Sequence, residues 1–172
     1  MRFKGYAYIP HNPAWAFSPT SGEGARIQGG RFNPKGTAAL YLSLSAHTCG
    51  LEMGHGFKAL FPALTLISYE VDVEDVVDLT SIGSRRKAGV LLKELRCAWR
   101  DDMGKGKEPA SWKITRDLIG RGASGVLVPS FANHAGPDDQ NLVLWRWGST
   151  FPHLVRPHDP DNRLPKNQDS WT

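Results

Sequence analysis

Strand-like segments stand at both ends of this sequence and helix-like segments fill its middle. That order restricts the fold more than any other feature of the chain. FKGYAYI (3–9), AALYLSL (38–44) and LTLISYEVDV (64–73) come early, and GVLVPS (125–130) and NLVLWRW (141–147) come late. In LTLISYEVDV, Ile67, Tyr69, Val71 and Val73 alternate, as one face of a half-buried strand requires. Between these groups lie three helix patterns. AHTCGLEMGHGFKAL (46–60) has Ser45 as its N-cap, and its two glycines, Gly50 and Gly54, imply close packing on their side. SRRKAGVLLKELRCAW (84–99) reads as one helix capped by Ser84, with Ala88, Leu91, Leu92, Leu95 and Trp99 at helical spacing. SWKITRDLIGRG (111–122) would be capped by Ser111 and ended by Gly120 or Gly122. Strands at both ends around central helices predict an α+β domain, not the regular alternation of a doubly wound sheet. At 172 residues the chain suits one domain.

Charge narrows the function classes. The formal charge is +4 and the pI is near 9.2, which favours anionic ligands but lacks the lysine-rich stripe of a dedicated nucleic-acid binder. The two cysteines, Cys49 and Cys97, and an N-terminus without an apolar signal region read as a soluble protein of a reducing cytosol. No apolar run approaches the roughly 20 residues of a membrane-spanning helix. Residues 11–30 form a long loop rich in Pro, Gly and Ser, of the kind that is functional or mobile. The polar stretch 157–172 reads as a loosely ordered tail.

Four residues could carry chemistry. Arg31 sits in GGRFNP, where Gly29 and Gly30 permit a sharp turn and Asn33-Pro34 fixes the exit. Its planar fork suits a phosphate, and it suits equally a structural role on loop carbonyls. Tyr41 points away from Leu40, Leu42 and Leu44, as a stacking platform for an aromatic ligand or as plain packing. Glu52 borders the apolar stripe of its helix beside Cys49, eleven residues after that tyrosine. Ser130 ends a strand; its Val-Pro and Phe-Ala flanks exclude a nucleophile elbow, so it orients something or caps a turn. His47, Cys49 and His55 lack the spacing of a zinc site, and GKGKEP lacks that of a phosphate loop.

Taken together, these blocks resemble the RES domain, named for an Arg, a Glu and a Ser. The matching text is GGRFNPKG, ALYLS, the helix with LEM, DLT at 78–80, GVLVPSFAN and NLVLW, in register over roughly residues 26–146. The resemblance places the domain at 1–156. It implies an ADP-ribosyltransferase-like mixed sheet with flanking helices. It also implies a bacterial toxin that binds and degrades NAD+ without a metal. The partner it implies is an Xre-type antitoxin with a helix-turn-helix that blocks the active site, and self-association as a homodimer is common in the family. Carried over, the family's arginine is Arg31, its glutamate Glu52, its serine Ser130 and its strand tyrosine Tyr41; Asn141 falls in a family block. The sequence departs from the family after the serine, where Phe-Ala-Asn stands in place of an arginine, and just before the glutamate, at Gly50-Leu51.

The roles so implied are distinct. Glu52 would stabilise an oxocarbenium-like ribose through its 2′-hydroxyl, and Arg31 would hold the pyrophosphate. Tyr41 would stack on the nicotinamide, and Ser130 would bond the ribose or fix Glu52. The acceptor of the ADP-ribose stays open between water, phosphate and a protein side chain. A glycohydrolase or phosphorylase is the first reading, and a mono-ADP-ribosyltransferase the second. A nucleotide or nucleic-acid binding module without turnover is a third.

Overall fold

The computed structural model describes residues 1–54 and 63–169. Seven strands form one mixed sheet: β1 (Phe3–His11), β2 (Leu40–Ser43), β3 (Thr65–Val73), β4 (Val76–Asp78), β5 (Gly125–Pro129), β6 (Gln140–Leu144) and β7 (His153–Pro157). Their order is β4-β5-β6-β2-β1-β3-β7. All neighbours are antiparallel except β4 and β5. The longest ladder joins β1 to β3, from Phe3 opposite Val73 to His11 opposite Thr65.

Each face of the sheet has its own core, and single strands feed both. Leu40, Leu42, Tyr69, Val71, Leu142 and Leu144 pack on one face. Phe32, Leu79, Leu95, Leu118, Val126, Val128 and Val143 pack on the other. A strand covered on both sides needs no polar alternation, which explains the unbroken apolar runs GVLV and LVL. Each fully buried Leu or Val contributes about 1.5–3 kcal/mol of transfer free energy. Tyr41 packs against the second core, opposite Leu40 and Leu42, so β2 brings it to the face that carries the helices.

The helices are α1 (Glu23–Gln28), α2 (Ala46–Gly54), α3 (Ile82–Ala88), α4 (Leu92–Leu95), α5 (Trp99–Gly104) and α6 (Ala110–Gly120). Ser45 caps α2, its Oγ accepting from the Thr48 N–H at 3.0 Å; the rest of the segment expected to continue this helix lies outside the described residues. A Cβ at Gly50 or Gly54 would meet no atom of the described residues within 4 Å, so the close packing anticipated there is not found among them.

The helix expected over 84–99 is three helices. Gly89 adopts φ 71°, which ends α3, and its N–H closes on the carbonyls of Arg85 and Arg86. The true cap of α3 is Ser81, with Ser84 as its reciprocal partner three residues on. The chain leaves helical geometry again between Leu95 and Trp99. In α6, Pro109 takes the cap position and Ser111 lies inside the first turn, its hydroxyl turned elsewhere. Two short strands, β4 and β7, escaped the sequence reading.

Beyond β7 the segment read as a loose tail carries anchors. Leu164 packs on the first core, the His158 N–H reaches Ser68 O at 2.8 Å, and the Asp159 carboxylate accepts from the N–H groups of Arg163 and Leu164. No helix among the described residues is long and apolar enough to cross a membrane.

Candidate active site

The turn that carries Arg31 is bonded at almost every polar atom. Gly29, at φ 73°, ends α1, and Gly30 and Asn33 pair across the turn, the Gly30 N–H reaching Asn33 O at 2.9 Å. Gly30 has a steric reason to be glycine. A Cβ there would lie 2.4 Å from the Tyr41 hydroxyl and 2.6 Å from Asn33 Oδ1. Asn33 is fully buried; its Nδ2 donates to Ala25 O at 2.8 Å and Thr37 O at 2.9 Å. Its Oδ1 accepts from the Tyr41 hydroxyl at 2.7 Å, and that hydroxyl accepts from the Phe32 N–H at 2.9 Å. The turn's carbonyls are met by other elements. Trp112 Nε1 donates to Gly30 O at 2.8 Å, Ser111 Oγ to Arg31 O, and Trp145 Nε1 to Phe32 O at 2.8 Å. Such saturation holds the turn in one conformation.

The Arg31 side chain fills the structural role that the sequence allowed, bonding backbone carbonyls. Nη1 donates to Leu95 O at 3.0 Å and Cys97 O at 2.7 Å. Both carbonyls lie in or beside the break between α4 and α5. Those bonds use Nη1 alone, and the guanidinium lies over the Phe131 ring at 4.9 Å. Arg31 also lines a cleft of about 510 Å³. Burial lowers its proton affinity, while charge on Cys97, Glu52 and Tyr41 pulls the other way.

Glu52 projects from α2 into the same cleft. Its Oε1 accepts from Ser130 Oγ at 2.6 Å and from Asn141 Nδ2 at 2.5 Å. Both bonds fall on one oxygen, which anchors that oxygen and leaves Oε2 without a hydrogen bond among the described residues. Asn141 is itself oriented: Ser43 Oγ donates to its Oδ1 at 2.9 Å, so the amide must turn its NH2 toward Glu52. Ser130 Oγ also accepts from the Ala132 N–H at 3.2 Å, which commits its proton to Glu52.

Asp139 then ties α2 to the loop between β5 and β6. It accepts from Thr48 Oγ1 at 2.7 Å and from the Gly136 N–H at 2.8 Å, and its carbonyl accepts from the Ser130 N–H at 2.7 Å. The Thr48 bond, the Gly136 bond and nearby His47 hold its carboxyl below the usual range. Burial, and the Glu52 charge beside it, push the Cys49 thiol up to about 11, so it is no nucleophile at neutral pH.

The structure therefore brings Arg31, Tyr41, Glu52 and Asn141 to one cleft and sets Ser130 behind Glu52. Tyr41 contributes its ring to the wall; its hydroxyl is spent on the Arg31 turn, and burial raises its pKa. Sequence reasoning gave no site role to Ser43, Trp99, Arg100 or Phe131. The last was within reach, since it follows Ser130 directly, whereas Trp99 was read as the end of a helix and Arg100 lies just beyond it. His47 Nε2 approaches Asp139 Oδ1 at 4.0 Å, and His55 lies outside the described residues. Among the described residues no cluster of three or more His, Cys, Asp or Glu could hold a metal ion. The arrangement suits a substrate with an anionic group at Arg31 and a centre that gains positive charge beside Glu52.

A family model described as the RES domain matches residues 6–167. A search of curated proteins finds no match. Among solved structures, the crystal structure of the M. tuberculosis MbcT-MbcA toxin-antitoxin complex contains a similar chain. The two are 24% identical, with a TM-score of 0.62, over 92% of this chain and 84% of that one. That likeness is one of fold.

Proposed function

The chain belongs to the RES domain family, and from that premise we propose that it is the toxin of a toxin–antitoxin pair and cleaves the nicotinamide–ribose bond of NAD+. One observation carries the reading: Glu52 has one oxygen anchored by Ser130 and Asn141 and the other without a hydrogen bond among the described residues, in a cleft shared with Arg31.

The chemistry follows from that geometry. The C–N bond breaks with its electron pair leaving on neutral nicotinamide, and positive charge develops on the ribose. Glu52 Oε2 accepts a hydrogen bond from the 2′-hydroxyl, so its charge stabilises the transition state more than the ground state. Arg31 holds a phosphate through Nε and Nη2, and the Tyr41 ring forms the wall against which nicotinamide departs. Ser130 and Asn141 aim the carboxylate, and no step requires a metal. Water or inorganic phosphate then takes the ADP-ribosyl group. The partner is an antitoxin of the Xre type whose helix-turn-helix protein covers this cleft, on a homodimeric toxin; the named complex of the similar structure supports the pairing.

The test incubates purified protein with NAD+, with and without phosphate, and identifies products by mass spectrometry. Free nicotinamide with ADP-ribose, or with its 1″-phosphate, is the expected result. Labelling of a protein in added lysate, without net NAD+ breakdown in buffer, would replace this reading with mono-ADP-ribosyl transfer. NAD+ left intact under all these conditions by a folded protein would end it.

A further inference from the structure

Two arginines line the cleft, and the chemistry above uses one. Arg100 enters from the first turn of α5, is exposed, and borders the same space as Arg31. Elsewhere several arginines pair with acids, as in Arg2 with Asp72, Arg26 with Glu23 and Arg121 with Asp117, while buried Arg85 is spent on the carbonyls of Leu79 and Thr80. Among the described residues neither cleft arginine forms an ion pair with a carboxylate, although Glu52 and Asp101 line the cleft with them. Each lies instead over an aromatic ring: Arg31 over Phe131 at 4.9 Å and Arg100 over Trp99 at 5.1 Å. A ring face restrains a guanidinium while leaving its charge and its N–H fork for a ligand. The two cations also sense each other, since Arg100 is among the groups that lower the proton affinity of Arg31. Like charges held toward one space, without an ion-paired acid, are compensated by a ligand with two negative groups.

We infer that Arg100 is a second anion-binding residue of the cleft, taking one phosphate of a pyrophosphate-bridged dinucleotide while Arg31 takes the other. The inference rests on the dinucleotide reading of this site and adds a specificity to it: a nicotinamide mononucleotide, with a single phosphate, cannot engage both arginines. Arg100 is thus the residue that separates dinucleotides from mononucleotides.

The test compares wild type, Arg100→Ala, Arg100→Gln and a control, Arg86→Ala, on exposed α3 away from the cleft. Turnover is measured with NAD+ and with nicotinamide mononucleotide, and binding of ADP and AMP by calorimetry. Loss of one charged hydrogen-bonding group predicts about a tenfold rise in KM for NAD+, with kcat within about twofold. ADP should weaken in parallel with NAD+, AMP and the mononucleotide should change far less, and Arg86→Ala should match wild type. Unchanged KM and ADP affinity in both Arg100 variants, or equal weakening of ADP and AMP, would overturn the inference while leaving NAD+ cleavage standing. A wild-type protein that neither cleaves NAD+ nor binds ADP would overturn the dinucleotide reading and this inference with it.

Discussion

Removing one oxygen from the Tyr41 side chain separates two accounts of that residue. If Tyr41 served the site only through its ring, Tyr41→Phe would be silent. In the structure its hydroxyl joins two buried groups, accepting from the Phe32 N–H at 2.9 Å and donating to Asn33 Oδ1 at 2.7 Å. Phe32 is 3% exposed and Asn33 0%, so water cannot replace the lost partner without rearrangement. Each unsatisfied buried group costs about 1–3 kcal/mol, which gives roughly 2–4 kcal/mol for the pair after partial relaxation. For a domain of this size that corresponds to a fall in Tm of roughly 5–15 °C. Denaturant and thermal unfolding would measure the loss, and NAD+ kinetics would show KM rising as the Arg31 turn loosens. A Tyr41→Phe protein within about 0.5 kcal/mol of wild type would refute the scaffold argument, that margin being the ordinary scatter of a neutral substitution.

Three further perturbations test other parts of the structure. In Glu52→Gln the amide oxygen can keep both the Ser130 and Asn141 bonds, so the protein should stay folded. NAD+ turnover should nevertheless fall on the order of 10²-fold or more, as removal of one well-placed charge implies, and near-normal turnover would remove Glu52 from the chemistry. Ser43→Ala frees the Asn141 amide to flip; kcat should drop about tenfold, as for loss of one orienting hydrogen bond, and Ser43→Thr should restore it. Failure of that rescue would mean Ser43 acts through packing alone. His11, bonded to Tyr69 at 2.6 Å, has its pKa lowered by burial. Below its unfolded value the unfolded chain binds the extra proton, so this stability is complete above roughly pH 6.5 and drains away as pH falls through that value. Thermal midpoints between pH 7 and 5 should therefore decline more steeply in wild type than in His11→Gln, and parallel slopes would count against it.

The local chemistry of the site was legible because it is written in short blocks. GGRFNP announces a tight turn, and the alternation in ALYLS places Tyr41 opposite the leucines whatever the sheet does around it. The segment 84–99 was misread for a physical reason. Ala88, Leu91, Leu92, Leu95 and Trp99 keep helical spacing through a region where the backbone breaks twice. The second break frees the carbonyls of Leu95 and Cys97, and their partner is Arg31, more than sixty residues earlier. Periodicity reports which side is buried but not a hydrogen bond to a distant guanidinium, and that bond helps offset the cost of ending the helix. The strands β4 and β7 were missed because VVD and HLVRP carry neither an apolar run nor a two-residue alternation of their own; β3 and β5 define them by pairing. Ser43 has no signal of its own, since its role exists only opposite Asn141 in the β2–β6 ladder.

Because β6 pairs with β2, which leads into the helix of Glu52, this carboxylate depends on donors that the ribosome adds long after it. Arg31, Tyr41 and the carboxylate itself emerge early, but Ser130 and Asn141 follow some eighty to ninety residues later. A nascent chain stopped anywhere before Asn141 carries a glutamate with nothing complete to aim it. For a protein whose proposed substrate is indispensable to the cell making it, activity is thereby deferred until β6 has been made. Stop codons placed anywhere between those of Glu52 and Asn141 should then be equally silencing.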